Sequence, residues 1–293
     1  MITARVSTDS LEISYDVAGP EDGKPVLLLH GWPDSPRAWH ALASRLNAQG
    51  WCTVAPYLRG FAPTRFLSPD TPRVGQAVAL AQDAIDLADR LGWNRFAVVG
   101  HDWGARVAYT LAALFPERLT RIVALALAHQ PYGAFEVPSF SQARRFWYQW
   151  FMTVDGGAAA VRRDPIGFAR IQWETWSPPG WFDEAEFAAT AESFTGPDWV
   201  AVTLNAYRSR WRDEPFDSRY AALQRRLGTI ETLATPTLMI QGGADGCVEP
   251  ASSEGQERFF KGGYQRLVLE GVGHFPSREA PAAVAEGLLR HLT

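Results

Sequence analysis

From its amino end the chain alternates short apolar runs with longer amphipathic ones. Leu11 to Val17 alternates apolar and polar residues, which predicts a half-exposed strand. Pro25-Val-Leu-Leu-Leu-His30 is a continuous apolar run, the pattern of a strand covered on both faces. Helical spacing over Ser35–Gln49 stops at Gly50, and Trp51-Cys-Thr-Val-Ala55 predicts the next strand. Val74–Leu91 predicts a long amphipathic helix ended by Gly92. Phe96–Val99 predicts a strand, Ala105–Phe115 a helix stopped by Pro116, and Arg121–Ala128 another strand. This β-α-β-α order predicts a parallel sheet with helices on both faces.

The texture changes after residue 130. Between Pro131 and Leu227 the β-α rhythm stops, and seven of the twelve tryptophans fall there. Ser141–Val154, Asp183–Phe194 and Asp198–Trp211 have helical spacing. The strand pattern resumes at Thr235–Gln241 and Gln265–Leu269, and Ala280–Leu292 predicts a closing helix. The expected organisation is an α/β core of residues 1–130 and 228–293 with a helical cap, 131–227, inserted into it.

Composition narrows the class. The 293 residues are 46% hydrophobic, enough for one sizeable core and an inserted subdomain. A net charge of −4 with no basic run offers no electrostatic footprint for nucleic acid or an anionic membrane. No apolar run reaches the length of a bilayer span, and the start MITARVSTDS lacks a secretory h-region, so a soluble cytoplasmic protein, monomer or homodimer, is expected. The two cysteines, Cys52 and Cys247, read as reduced thiols. The sequence has no metal-ligand cluster and no phosphate loop, so no cofactor is expected.

The chemistry concentrates in Val98-Val-Gly100-His-Asp102-Trp-Gly104-Ala-Arg106. It has the frame of a strand–turn–helix elbow, G-x-S-x-G, with aspartate in the serine position. A serine attacking saturated carbon would end as a stable ether. A carboxylate gives an alkyl ester, which water cleaves at the acyl carbon. Asp102 therefore reads as a nucleophile for displacement at sp³ carbon, with halide or an epoxide oxygen leaving. The competing reading is a helix N-cap, a common use of aspartate.

Ester hydrolysis needs a base, an orienting acid and oxyanion donors. His274, in Gly271-Val-Gly-His274-Phe after the last apolar strand, is the expected base. Asp245, after Ile240-Gln-Gly-Gly-Ala, is the expected acid, with Glu249 as the alternative. The backbone amides of Trp103 and of Trp32, in His30-Gly-Trp32-Pro33, are the expected oxyanion donors.

Together HGWP, LRGF at Leu58–Phe61, GHDWGA, the Asp245 turn and GVGHF resemble the α/β-hydrolase superfamily, in its branch with an aspartate nucleophile. That branch includes epoxide hydrolases, haloalkane dehalogenases and fluoroacetate dehalogenases. The resemblance implies the α/β-hydrolase fold with an inserted helical cap. For an epoxide hydrolase it implies two cap tyrosines that donate to the opening oxygen. Tyr148 in FWYQWF and Tyr207 in LNAYR match those positions. For a haloalkane dehalogenase it implies side-chain N–H donors to the halide, for which Trp103, Trp32 and Trp150 are candidates. The two-arginine pattern of fluoroacetate dehalogenases is incomplete: Trp103 stands in the first position, and Arg106 reads as a structural ion-pair partner. A ligand receptor built on an inactive hydrolase scaffold would carry a damaged elbow, and none of these motifs is damaged. The expected activity is conversion of an epoxide and water to a vicinal diol. The cap tryptophans suggest a small apolar substrate, with Trp103, Trp147 and Trp150 beside it.

Overall fold

The computed structural model describes all 293 residues. Nine strands form one sheet: β1 (Ile2–Ser7), β2 (Leu11–Ala18), β3 (Lys24–Leu29), β4 (Trp51–Pro56), β5 (Arg65–Phe66), β6 (Phe96–His101), β7 (Leu119–Leu125), β8 (Thr237–Gly242) and β9 (Tyr264–Leu269). The order is β1-β2-β4-β3-β6-β7-β8-β9, with β5 pairing to β2. Pairings from β4 through β9 are parallel, and β1, β2 and β5 add the antiparallel end.

Alternate residues of the central strands enter two separate cores. Leu27, Leu29, Val98, Ile122 and Ala124 pack with α2 (Ala77–Arg90, once α1 is taken as His40–Asn47) and α3 (Trp103–Leu114). Val26, Leu28, Val99, Val123 and Leu125 pack on the other face with α1 and the terminal helix Pro281–Leu292. The continuous apolar runs thus arise because both faces are dry.

Between β7 and β8 the chain contains only helices: α4 (Phe140–Arg145), α5 (Trp147–Thr153), α6 (Asp155–Arg163), α7 (Pro165–Trp176), α8 (Glu184–Ala191), α9 (Trp199–Arg208) and α10 (Ala221–Leu227). The last two helices are α11 (Pro276–Glu279) and α12 (Pro281–Leu292). No helix is long and apolar enough to cross a membrane.

Several local expectations change. Strand β2 is mostly buried rather than half-exposed, because its polar residues point at partners: Asp16 accepts from Thr3 at 2.7 Å and lies 3.1 Å from His40 Nε2. The predicted helix 141–154 breaks at Phe146 (φ −83°, ψ 18°) into α4 and α5. Helices α6 and α7 lie where Gly156-Gly157 and Pro165 resemble breakers. Pro165 opens α7 instead, and Asp164 caps it through the Gly167 amide at 2.8 Å.

Glycine is required at the elbow by close approach. A Cβ on Gly100 would stand 2.0 Å from the Gly104 carbonyl oxygen, and one on Gly104 would stand 2.0 Å from that of Leu29. Gly100→Ala is therefore expected to lower stability by about 1–3 kcal/mol, read as a lower urea midpoint at unchanged slope. Gly156→Ala, where a Cβ meets nothing within 4 Å, is expected to cost nothing.

Candidate active site

Strand β6 delivers Asp102 to the tip of the elbow with φ 49° and ψ −110°, a left-handed conformation rare outside glycine. The Asp102 carboxylate makes no capping bond to α3, which removes the N-cap reading. Its Oδ1 accepts the Trp32 amide at 2.8 Å, and its Oδ2 lies 3.7 Å from His274 Nε2. Gly31 permits this, since a Cβ there would sit 2.5 Å from the Asp102 Cβ. The Trp103 amide is the first of α3, among the N–H groups that a helix leaves without an internal partner.

The loop bearing Trp32 is braced on both sides. His30 Nδ1–H donates to Gly31 O at 2.8 Å, and its Nε2 accepts the Leu58 amide at 3.1 Å. Burial drives His30 down to about 4, so it holds these two bonds as a neutral ring. Asp34 accepts Arg278 at 2.6 Å, tying this loop to the segment that follows His274.

His274 Nδ1 lies 2.9 Å from Asp245 Oδ2. The other Asp245 oxygen accepts the amides of Cys247 (2.7 Å) and Val248 (2.8 Å). Glu249 plays no part here; its own amide donates to Gln142 Oε1 at 2.8 Å. The Trp176 carbonyl, at the end of α7, accepts both the Gly246 amide (2.9 Å) and the His274 amide (3.1 Å). Ser177 Oγ also accepts the His274 amide at 2.9 Å and donates to Glu279 at 2.6 Å. His101 Nε2 lies 2.7 Å from the His274 carbonyl, completing the cradle.

Burial alone would neutralise His274. The charges and contacts of Asp245 and Asp102 outweigh it and hold the imidazole up at about 10. Burial would raise the Asp102 carboxyl, and His274 beside it outweighs that and keeps it below the usual range. His274 is therefore an imidazolium held between Asp102 and Asp245.

Tyr148 and Tyr207 complete an aromatic wall, their ring centroids 5.3 Å apart. Each phenolic oxygen accepts one N–H: Trp103 Nε1 donates to Tyr207 at 3.1 Å, and Gln149 Nε2 to Tyr148 at 3.0 Å. Burial raises both phenols well above their ordinary value, so both carry their protons. Trp32 stacks on Tyr148 at 5.8 Å, and Trp176 meets the His274 ring at 4.8 Å.

The expected tryptophans divide by helix face. In α5, Tyr148, Gln149 and Met152 are buried, while Trp147 is 38% exposed and packs at a tilt against Phe151. Trp150 packs on Trp211 at 4.1 Å and donates to Ala143 O. Neither stands beside Asp102, because the 100° helical step that turns Tyr148 inward turns Trp147 away. Gln149 and Thr203, which accepts the Trp32 indole N–H at 3.1 Å, are the site neighbours that sequence reasoning missed, and Trp176 is the one of the cap tryptophans that meets His274. Arg106 forms no ion pair; it donates to Gln130, correcting the expected role. No group of three or more His, Cys, Asp or Glu side chains is placed to hold a metal ion. Cys52 and Cys247 are both free and buried.

Comparison with known proteins identifies the fold. The family model described as the alpha/beta hydrolase fold matches residues 24–281. A crystal structure of a candidate epoxide hydrolase from Klebsiella pneumoniae superposes with a TM-score of 0.91 at 35% identity, covering 99% of this chain and 96% of that one. Epoxide hydrolase A of Mycobacterium tuberculosis is 26% identical over 98% of this chain and 96% of its own length. An epoxide hydrolase of Caballeronia sordidicola is 26% identical over 97% of this chain and 90% of its own.

The raised His274 pKa carries a stability signature. A folded-state pKa of about 10, above the unfolded value near 6.5, contributes stability that is complete below pH 6.5 and lost as pH rises towards 10. Urea unfolding at pH 6, 8 and 10 should show wild type losing its advantage over His274→Gln across that window. A difference that does not change with pH would refute the charged imidazole.

Proposed function

The chain belongs to the α/β-hydrolase fold family, and on that premise we propose that it is an epoxide hydrolase forming a vicinal diol through an alkyl ester on Asp102. The observation that carries this reading is the pair of protonated phenols, each accepting one N–H, packed together on the ring of Trp32, whose amide binds the buried carboxylate. The Tyr207 oxygen already accepts an N–H and keeps its own hydrogen for a third party, while the Tyr148 hydroxyl, which also meets Cys247 Sγ at 3.6 Å, would turn its hydrogen to a stronger acceptor that enters. The accepted N–H also steadies each phenol oxygen when it takes charge.

Ring opening then proceeds as follows. Asp102 Oδ2 attacks an epoxide carbon as the carbon–oxygen bond breaks, and Tyr148 and Tyr207 donate to the leaving oxygen. Esterification removes the Asp102 charge, so His274 loses one of the two carboxylates that hold its proton. The imidazolium can then release that proton through solvent, which restores the proton that the phenols give to the opened oxygen. Neutral His274, oriented by Asp245, takes a proton from water as the oxygen of that water attacks the ester carbonyl carbon. The oxyanion forms on Oδ1, where the Trp32 amide already donates and the Trp103 amide would join it. Collapse expels the alcohol with the remaining water proton. Asp102 is left ionised beside a protonated His274, as at the start.

Carbon–halogen cleavage needs free N–H donors for the halide. The three indoles that could supply them are engaged: Trp103 on Tyr207, Trp32 on Thr203 and Trp150 on Ala143. The substrate is a small apolar epoxide that contacts the rings of Trp103, Trp32 and Trp176. Asp102 is 4% exposed and His274 fully buried, so residues 131–227 act as a cap that must shift to admit it.

Incubation with styrene oxide, a bromoalkane and fluoroacetate side by side should release diol and no halide; halide release at a comparable rate would overturn the assignment. His274→Gln should accumulate protein heavier by one substrate mass in intact mass spectrometry, and normal turnover by this variant would remove His274 as base. Tyr207→Phe should lower kcat/KM for an epoxide by roughly 100-fold, with Tyr148→Phe acting in the same direction.

A further inference from the structure

A cavity of about 400 Å³ opens between α3, the segment after β7 and the end of α9. None of Asp102, His274, Asp245, Tyr148, Tyr207, Trp32 or Trp103 lines it. Arg106 and Arg210 do, and neither guanidinium has a carboxylate partner. Both lie on the same ring, their Cζ atoms 4.4 Å and 4.3 Å from the centroid of Phe135. Arg106 Nε is buried with no hydrogen-bond partner, although Nη1 reaches Gln130.

Two like charges pack on one aromatic ring in the cavity wall, and an aromatic face compensates them less than an anion would. Burial depresses Arg106, and repulsion from Arg210 adds to it, bringing the guanidinium down to about 9. The acids that line the cavity do not neutralise the pair. Glu214 lies 2.9 Å from Arg212 and 3.8 Å from Arg208, and Asp213 is exposed. His129, also in the lining, is driven down to about 4 by burial and is neutral. The remaining walls include Tyr109, Leu127, Phe216 and Leu227. The volume falls within the range of small-molecule sites.

We propose that this cavity binds a small organic carboxylate, its charged end between Arg106 and Arg210 and its apolar body along Tyr109, Leu127 and Leu227. Inorganic phosphate has the charge without the body, and a neutral amide the body without the charge. Arg210 also lies 4.4 Å from the Tyr207 ring centroid, so the site adjoins the catalytic wall from behind without sharing its reacting groups.

Isothermal titration with 4-phenylbutyrate, 4-phenylbutyramide and inorganic phosphate tests this. The carboxylate should bind saturably and at least tenfold more tightly than the other two. Arg106→Gln and Arg210→Gln should each weaken it tenfold or more, with thermal melts confirming that they fold. Ser209→Trp, which fills the cavity and keeps both charges, should abolish it. Asp102→Asn, which disables the proposed chemistry, should bind the carboxylate as tightly as wild type, so failure of the epoxide reading leaves this result intact. Absence of saturable binding to wild type, binding unaffected by the arginine and Ser209 variants, or binding lost in Asp102→Asn would each overturn the proposal.

Discussion

The structure depends on holding one carboxylate out of water at the tip of a left-handed turn. Asp102 combines a φ of 49° with 4% exposure, and each of these costs free energy unless surrounding groups compensate. A backbone amide at 2.8 Å, a nearby imidazolium and the N-terminal end of α3 supply that compensation. Each needs its own support. The amide needs Gly31 and the His30 brace, the imidazolium needs Asp245, and the helix end needs Gly100 and Gly104 to close against β3. The motifs scattered along the chain are thus the separate supports of one buried charge.

That charge also governs the proton on His274. Asp245 and Asp102 together hold the imidazole protonated, and loss of the Asp102 charge removes part of that hold. A site that attacks through Asp102 would therefore create its own base at the moment the ester forms. The same electrostatics that stabilise the resting site would time the second half-reaction.

The helical stretch between β7 and β8 also positions Asp245 and His274. The Trp176 carbonyl at the end of α7 accepts amides from both the Asp245 turn and the His274 loop, and Ser177 Oγ accepts the second of these as well. Gly273 is in close contact with Ser177, where a Cβ would stand 2.2 Å from Oγ. Asp245, His274 and the phenols of Tyr148 and Tyr207 are thus referenced to the same helices. Those helices also carry the indole and phenol rings packed around Trp32, so motion that admits substrate would act on the geometry of the triad.

Local pattern was sufficient for the parallel sheet, the elbow at Asp102 and the loops of Trp32, Asp245 and His274, because continuous apolar runs and glycine-framed turns state their structure within a few residues. Strand β1 escaped notice because it is an exposed edge, where alternation carries little hydrophobic contrast. Helices α6 and α7 escaped because Gly156-Gly157 and Pro165 are breakers in isolation and become helix starts only with the right neighbours. The facing of Trp147 and Trp150, the choice of Asp245 over Glu249 and the partners of the tryptophan N–H groups were settled only in three dimensions. Most of these depend on contacts between residues tens to hundreds of positions apart, and no local periodicity encodes which of two neighbouring aromatic rings a helix turns toward the core.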